Sequence, residues 1–189
     1  HFGLIHKLQE DSSCDVFVHS EDLEFVSDYA GAYLKRMDYF GDILLSSGTP
    51  QKILDDLQAA YLFLKDVGGS VENCRKINDG DTVRLGEVEL RAFHTPGHTI
   101  GEIVLLWEEK ETLFCGDHLM KDITPNVGVT LRGTPVASLL PDYLRSLEET
   151  LRLPGRFAFP GHRGSIHDFK ERALEILDHH RERKRLMFE

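Results

Sequence analysis

Three times in the second half of this chain a short apolar run stops at a turn that carries a histidine or an aspartate. The segments are Phe93-His94-Thr95-Pro96-Gly97-His98-Thr99, Leu113-Phe114-Cys115-Gly116-Asp117-His118 and Phe159-Pro160-Gly161-His162-Arg163-Gly164. Loops at strand ends are where sheet-based proteins place their chemistry. Two Pro-Gly-His turns and one Gly-Asp turn can aim imidazole nitrogen and carboxylate oxygen at a common centre, a donor set that suits Zn²⁺ or a similar divalent ion. Each piece alone also reads as a solvated turn, an Asx-turn or a helix cap. The recurrence of all three, each after a strand-type run, is what points to a metal site.

The rest of the chain supplies helices around these strands. Phe2, Ile5 and Leu8 have helical spacing up to the Asp11-Ser12-Ser13 break, and Cys14 to His19 reads as a short buried strand. Residues 21–45 are mixed and partly helical. Thr49-Pro50 suits an N-cap followed by a first helical residue, and 50–67 is predicted as an amphipathic helix with Ile53, Leu57, Tyr61 and Leu64 on one stripe, ended by Gly68-Gly69. The period then changes to two: residues 79–86 read as a turn and strand, and 87–93 alternate polar and apolar residues. Further strands are expected at 103–107, 112–114 and 157–159, with helices at 139–151 and 170–185. In the last helix Leu174 and Leu177 are expected inward, with Ile176 and His180 at the edge of that face. Such alternation of helices and short strands indicates an α/β sandwich.

Composition narrows the function classes. A net charge of -10 over 189 residues disfavours a general polyanion binder, which needs clustered Lys and Arg. No run approaches the length of an apolar membrane span. Cys14, Cys74 and Cys115 form no CxxC pair, and so sparse, odd a set fits a reducing, cytoplasmic compartment without a disulfide framework.

The order His94-Thr95-Pro96-Gly97-His98-Thr99-x-Gly101, then Leu113-Phe114-x-Gly116-Asp117, then Pro160-Gly161-His162, resembles the metallo-β-lactamase superfamily in its glyoxalase II-like and β-lactamase-like endoribonuclease branches. The resemblance runs over nearly the whole chain, including Asn78-Asp79-Gly80-Asp81. It implies a four-layer αββα sandwich with two metal ions, most readily Zn²⁺, at one edge of the sheets. His98 would bind the first metal, Asp117 would bridge both, and His162 would bind the second; His94 and His118 would pack beside the site. The family's His-x-His-x-Asp-His signature is not found here. The chain instead opens with His1-Phe2-Gly3-Leu4, which resembles the end of that signature, so His1 would be its last histidine and a further metal ligand. On this reading 1–169 form a metallo-β-lactamase-like domain incomplete at its N-terminus, and 170–189 form a C-terminal helix that leads toward a helical domain.

The function so implied is a metal-dependent hydrolase, in which a metal-bridged hydroxide attacks a thioester or other small acyl substrate. Asp117 carries the catalytic role by positioning both ions. A phosphodiesterase acting on single-stranded RNA is the alternative, kept open by Arg181, Arg183, Lys184 and Arg185. A metal-free binding or structural copy of the fold is the non-enzyme alternative.

Overall fold

A strand that alternates polar and apolar residues can cover a core with one face and meet water with the other. Residues 82–116 do this repeatedly, and their pairing builds the main sheet. In the computed structural model, which describes residues 3–130 and 137–189, the elements follow in the order α1 (Ile5–Ser12), β1 (Phe17–His19), α2 (Leu23–Ser27), α3 (Tyr29–Ser46), α4 (Gln51–Lys65), β2 (Arg75–Ile77), β3 (Thr82–Leu85), β4 (Val88–His94), β5 (Ile103–Trp107), β6 (Thr112–Gly116), β7 (Val129–Thr130), β8 (Ala137–Ser138), α5 (Leu140–Thr150), β9 (Phe157–Pro160) and α6 (Phe169–Met187). The chain divides into two compact units, His1–Lys76 and Ile77–Glu189.

In the first unit Val16, Val18, Val26 and Val71 form a small core. The amide of Arg75 donates to the Val16 carbonyl. Asp28 caps α3 by accepting from the Gly31 amide at 3.2 Å, and a Cβ at residue 31 would lie 2.2 Å from an Asp28 carboxylate oxygen, so glycine is needed in this first turn. Tyr33 of α3 meets Tyr61 of α4 with ring centroids 5.5 Å apart. Of the expected α4 stripe, Tyr61 makes this contact, whereas Ile53 and Leu57 remain exposed.

The second unit holds a five-stranded sheet in the order β3-β4-β5-β6-β9. The pairs β3–β4, β4–β5 and β5–β6 are antiparallel, and β6–β9 is parallel. Strands β4, β6 and β9 therefore all run the same way, and their C-terminal ends, followed by His98, Asp117 and His162, reach one edge of the sheet. Parallel neighbours need a crossover, here through the β7–β8 hairpin and α5. Val104, Leu106, Leu113, Cys115 and Ala158 on one face pack with Tyr143 and Leu147 of α5 and with Phe169, Ala173, Ile176 and Leu177 of α6. The other face carries the Phe114–Phe159 stack, with ring centroids 5.9 Å apart.

The strands and helices of this second unit lie within a few residues of their expected bounds. The strand β2 and the β7–β8 hairpin were not foreseen, being only two or three residues long. The inward face of α6 differs from expectation: Leu177 is buried, but Leu174 is 46% exposed and Ile176 belongs to the core. Phe169, Ala173, Ile176 and Leu177 follow the i, i+4, i+7, i+8 pattern of one helix face, and residue 174 is turned about 100° from residue 173. Asp168 starts the helix by accepting from the amides of Lys170 and Glu171, both at 3.1 Å. No helix among the described residues is long and apolar enough to cross a membrane.

The orientation of α6 is checked by denaturant unfolding. Leu177→Ala should cost about 2–5 kcal/mol, as for a truncated core leucine. Leu174→Ala should cost about 1 kcal/mol or less. The reverse order would mean that the helix is rotated from the placement described.

Candidate metal centre

Each of the three turns is held by contacts that fix its backbone. The Pro96-Gly97-His98 turn sits on α5. The hydroxyl of Ser146 donates to the Pro96 carbonyl at 2.9 Å, and a Cβ at residue 97 would lie 2.5 Å from the Tyr143 ring. The Gly128 amide donates to the Gly97 carbonyl at 2.7 Å, and the Thr95 amide donates to the Glu102 carbonyl at 2.8 Å. Asp117 follows β6 after Gly116, which has φ +49° and leaves space that a Cβ would take from the Glu102 carboxylate. The Asp117 amide donates to that carboxylate at 3.2 Å. The Gly161 amide donates to the Gly116 carbonyl at 2.7 Å and ties the β9 turn to the β6 turn.

These turns bring His98, Asp117 and His162 together. His98 Nε2 lies 3.4 Å from Asp117 Oδ2, and His162 Nε2 lies 3.7 Å from Asp117 Oδ1. The carboxylate is buried, with one oxygen toward each ring. A Cβ at residue 161 would stand 3.0 Å from Asp117 Oδ1, so the glycine keeps that oxygen open.

The hydrogen-bond partner of His98 sets its chemistry. Its Nδ1 lies 3.0 Å from the Asn126 carbonyl, which can only accept, so Nδ1 carries the proton. In the neutral ring Nε2 then presents a lone pair, the form that ligates metals, with a carbonyl orienting it from behind. Two donors held about 2.0–2.2 Å from one tetrahedral ion stand about 3.3–3.6 Å apart. The His98–Asp117 and His162–Asp117 separations are close to that spacing. The residues present thus fit two half-sites that share Asp117. Among the described residues no three His, Cys, Asp or Glu side chains close on a single point. The remaining expected ligand, His1, lies outside the described residues.

The two neighbouring histidines are engaged otherwise. The Nε2 of His94 donates to the Ile100 carbonyl at 2.8 Å, and its amide donates to Asp79 Oδ1 at 2.9 Å. His118 is fully buried and meets the Tyr143 ring edge-on. The Thr150 hydroxyl donates to the Ser146 carbonyl, so His118 Nε2, 2.8 Å away, donates to Thr150 Oγ1. Burial pushes the His118 pKa down to about 3, which keeps the ring neutral. The Cys115 thiol behind the site is pushed up to about 12 by burial and is inert. Glu102 and Asn126, which anchor Asp117 and His98, were not foreseen: neither stands in a motif, and only the fold brings residue 126 to residue 98.

Comparison with known proteins settles the family. The sequence profile described as Metallo-beta-lactamase superfamily matches residues 1–162. The chain belongs to that superfamily. A superfamily protein from Thermus thermophilus has a similar structure, with a TM-score of 0.77 at 30% identity over 97% of this chain and 57% of that one. A superfamily protein from the archaeon Sulfolobus tokodaii has the same fold, with a TM-score of 0.58 at 19% identity over 95% of this chain and 62% of that one. The expected α/β fold of the metallo-β-lactamase type is therefore the one found. Among curated proteins, a lactamase-like protein from Arthroderma benhamiae is 26% identical over 90% of this chain, and a beta-lactamase-like protein 2 homolog from Caenorhabditis elegans is 30% identical over 66% of it. The chain spans only 34% and 39% of the lengths of those two relatives. Members of this superfamily typically bind divalent metals.

The structural role of His118 is testable. Thr150→Val removes the acceptor for a buried ring N–H and should cost about 1–3 kcal/mol of stability. Divalent-metal affinity of the folded variant should match that of the parent. A large loss of affinity without loss of stability would make His118 a ligand.

Proposed function

We propose that this chain carries part of a divalent-metal hydrolase centre acting on small thioester or other acyl substrates. His98 and Asp117 would hold one ion and Asp117 and His162 a second, with His1 as a further ligand, and zinc is the metal that this donor set favours. The single observation that carries the reading is Asp117, buried between two imidazoles with one carboxylate oxygen toward each. Metal bound there supplies Lewis acidity and lowers the pKa of water toward neutrality. The chain's own residues do the rest. Asn126 holds His98 in its ligating tautomer, Glu102 fixes the backbone of Asp117, and Gly161 keeps the carboxylate accessible from the β9 side.

Charge supports an acyl substrate over RNA. The basic end of α6 is neutralised in part from within: Arg181 pairs with Asp178, and Arg185 pairs with Glu182 and Glu189. A net charge of -10 further disfavours a polyanion. The three thiols are free, in keeping with a reducing, cytoplasmic location.

The metal assignment is tested by competition titration with zinc. The chain as it stands should bind zinc weakly or take up one ion, because the first half-site has only His98 and Asp117 and the second, with His1, reaches only the lower end of the usual three to four protein ligands. Asp117→Asn should remove measurable binding with an unchanged circular dichroism spectrum. His94→Ala should weaken binding by about tenfold to a hundredfold, the scale of a supporting residue. Equal losses for His94→Ala and His98→Ala would show that the wrong histidine of the pair had been assigned. In the full gene product, thioester turnover that is indifferent to salt is expected. RNA cleavage with binding that weakens steeply with salt would replace the acyl reading by the phosphodiesterase one.

A further inference from the structure

Within the second unit, an open pocket of about 370 Å³ lies between the segment 124–127 and the C-terminal half of α6. That size lies within the usual range for small-molecule sites. Its wall includes Thr124, Asn126, Ser138, His179, His180 and Arg183. Among the described residues, the side chains in the wall that can carry charge are the two imidazoles and the guanidinium.

The pairing of α6 singles out Arg183. Arg172 pairs with Glu175 at 2.7 Å, Arg181 with Asp178 at 2.9 Å and Arg185 with Glu182 at 2.7 Å, each three residues away along the helix. Arg183 has no ion pair among the described residues. Its helical neighbours at i−3 and i−4 are His180 and His179, so three nitrogen-bearing side chains share one stripe without a carboxylate. His180 has a hidden Nε2 with no hydrogen-bond partner among the described residues. Burial first, then the charges of His179 and Arg183, hold its pKa below the ordinary histidine value. Arg183 thus brings a positive charge with no ion pair among the described residues to this wall, in a protein whose net charge is -10.

Asn126 joins this cavity to the candidate metal centre. Its residue lines the cavity, while its carbonyl accepts from His98 Nδ1 at 3.0 Å. We propose that the cavity is a recognition subsite for one anionic group, a carboxylate or a phosphate monoester, on a small substrate whose reacting bond lies at the metal centre. The link to substrate rests on the hydrolase reading given above; the anion site itself does not. A guanidinium offers a planar fork of donors to either oxyanion, with the imidazoles and the Ser138 and Thr124 hydroxyls at hand for the remaining oxygens. The cavity's size and the acidic surround favour a single anionic group over a polynucleotide.

The test reads binding without turnover. The ring-proton NMR signals of His179 and His180 are followed in chelator-treated protein during titration with 3-(acetylthio)propionate, its primary amide and inorganic phosphate. Both signals should move with the acid and not with the amide. Phosphate moving them further than the acid would assign the subsite to phosphate monoesters; the reverse would assign it to carboxylates. Arg183→Gln should weaken the effective anion about tenfold, the loss expected for a charge-assisted hydrogen bond. Arg181→Gln, on an arginine already paired, should leave it unchanged. The subsite is refuted if the amide binds as well as the acid, if Arg183→Gln has no effect, or if a short RNA oligomer displaces the anion with a steep dependence on salt. Anion binding that survives in a gene product with no thioester turnover would overturn the hydrolase reading and leave the subsite in place.

Discussion

Thr112, Leu113 and Phe114 of β6 pair in parallel with Phe157, Ala158 and Phe159 of β9, and β4 lies two antiparallel steps away from β6. That common direction is the constraint on which the site depends. Were β9 antiparallel to β6, His162 would sit at the opposite edge of the sheet from Asp117, about four residues of strand away. The crossover through α5 makes the parallel pairing possible, and burial of Tyr143 and Leu147 against the sheet holds the crossover in place. The same helix anchors the His98 turn through Ser146 and through the close approach of Gly97 to Tyr143. One packing interaction thus sets the position of all three candidate ligands.

A buried carboxylate needs compensation, because the cost of removing charge from water is large unless partners are supplied. Asp117 is placed by the groups around it. Its amide meets Glu102, itself an acid, and the two imidazoles stand at distances longer than good hydrogen bonds. A cation held between these groups would offset the charge of the buried carboxylate. The glycines at 116 and 161 serve the same end: each omits a Cβ where one would crowd the carboxylate or the acid that supports it.

Much of this was legible in the sequence, and the reasons differ from part to part. The strands from Val88 to Gly116 were readable because their alternation is a direct imprint of one buried face, and α5 and α6 because their apolar spacing is helical. The convergence of His98, Asp117 and His162 was readable because turn chemistry recurs after each strand. The face of α6 was misjudged at Leu174 and Ile176, since leucine and isoleucine on adjacent stripes are equally apolar and only packing against Phe169 and Ala173 selects between them. The α4 stripe holds only in part: Tyr61 packs against Tyr33, whereas Ile53 and Leu57 are exposed. Asn126 was invisible because it acts through its backbone carbonyl, which any residue supplies. The basic tail read as one cluster in the sequence and is two kinds of arginine in the fold, those paired within α6 and Arg183, which lines a cavity.

The most direct measurement is anomalous scattering at the zinc edge from crystals of this chain grown with zinc. A peak about 2.0–2.2 Å from an Asp117 oxygen and from Nε2 of His98 or His162 is expected, since those atoms already stand near the spacing of two ligands on one ion. Peaks confined to other histidines, such as His94, His118 or the His179–His180 pair, with none at Asp117, would contradict the assignment of Asp117 as the centre of the site.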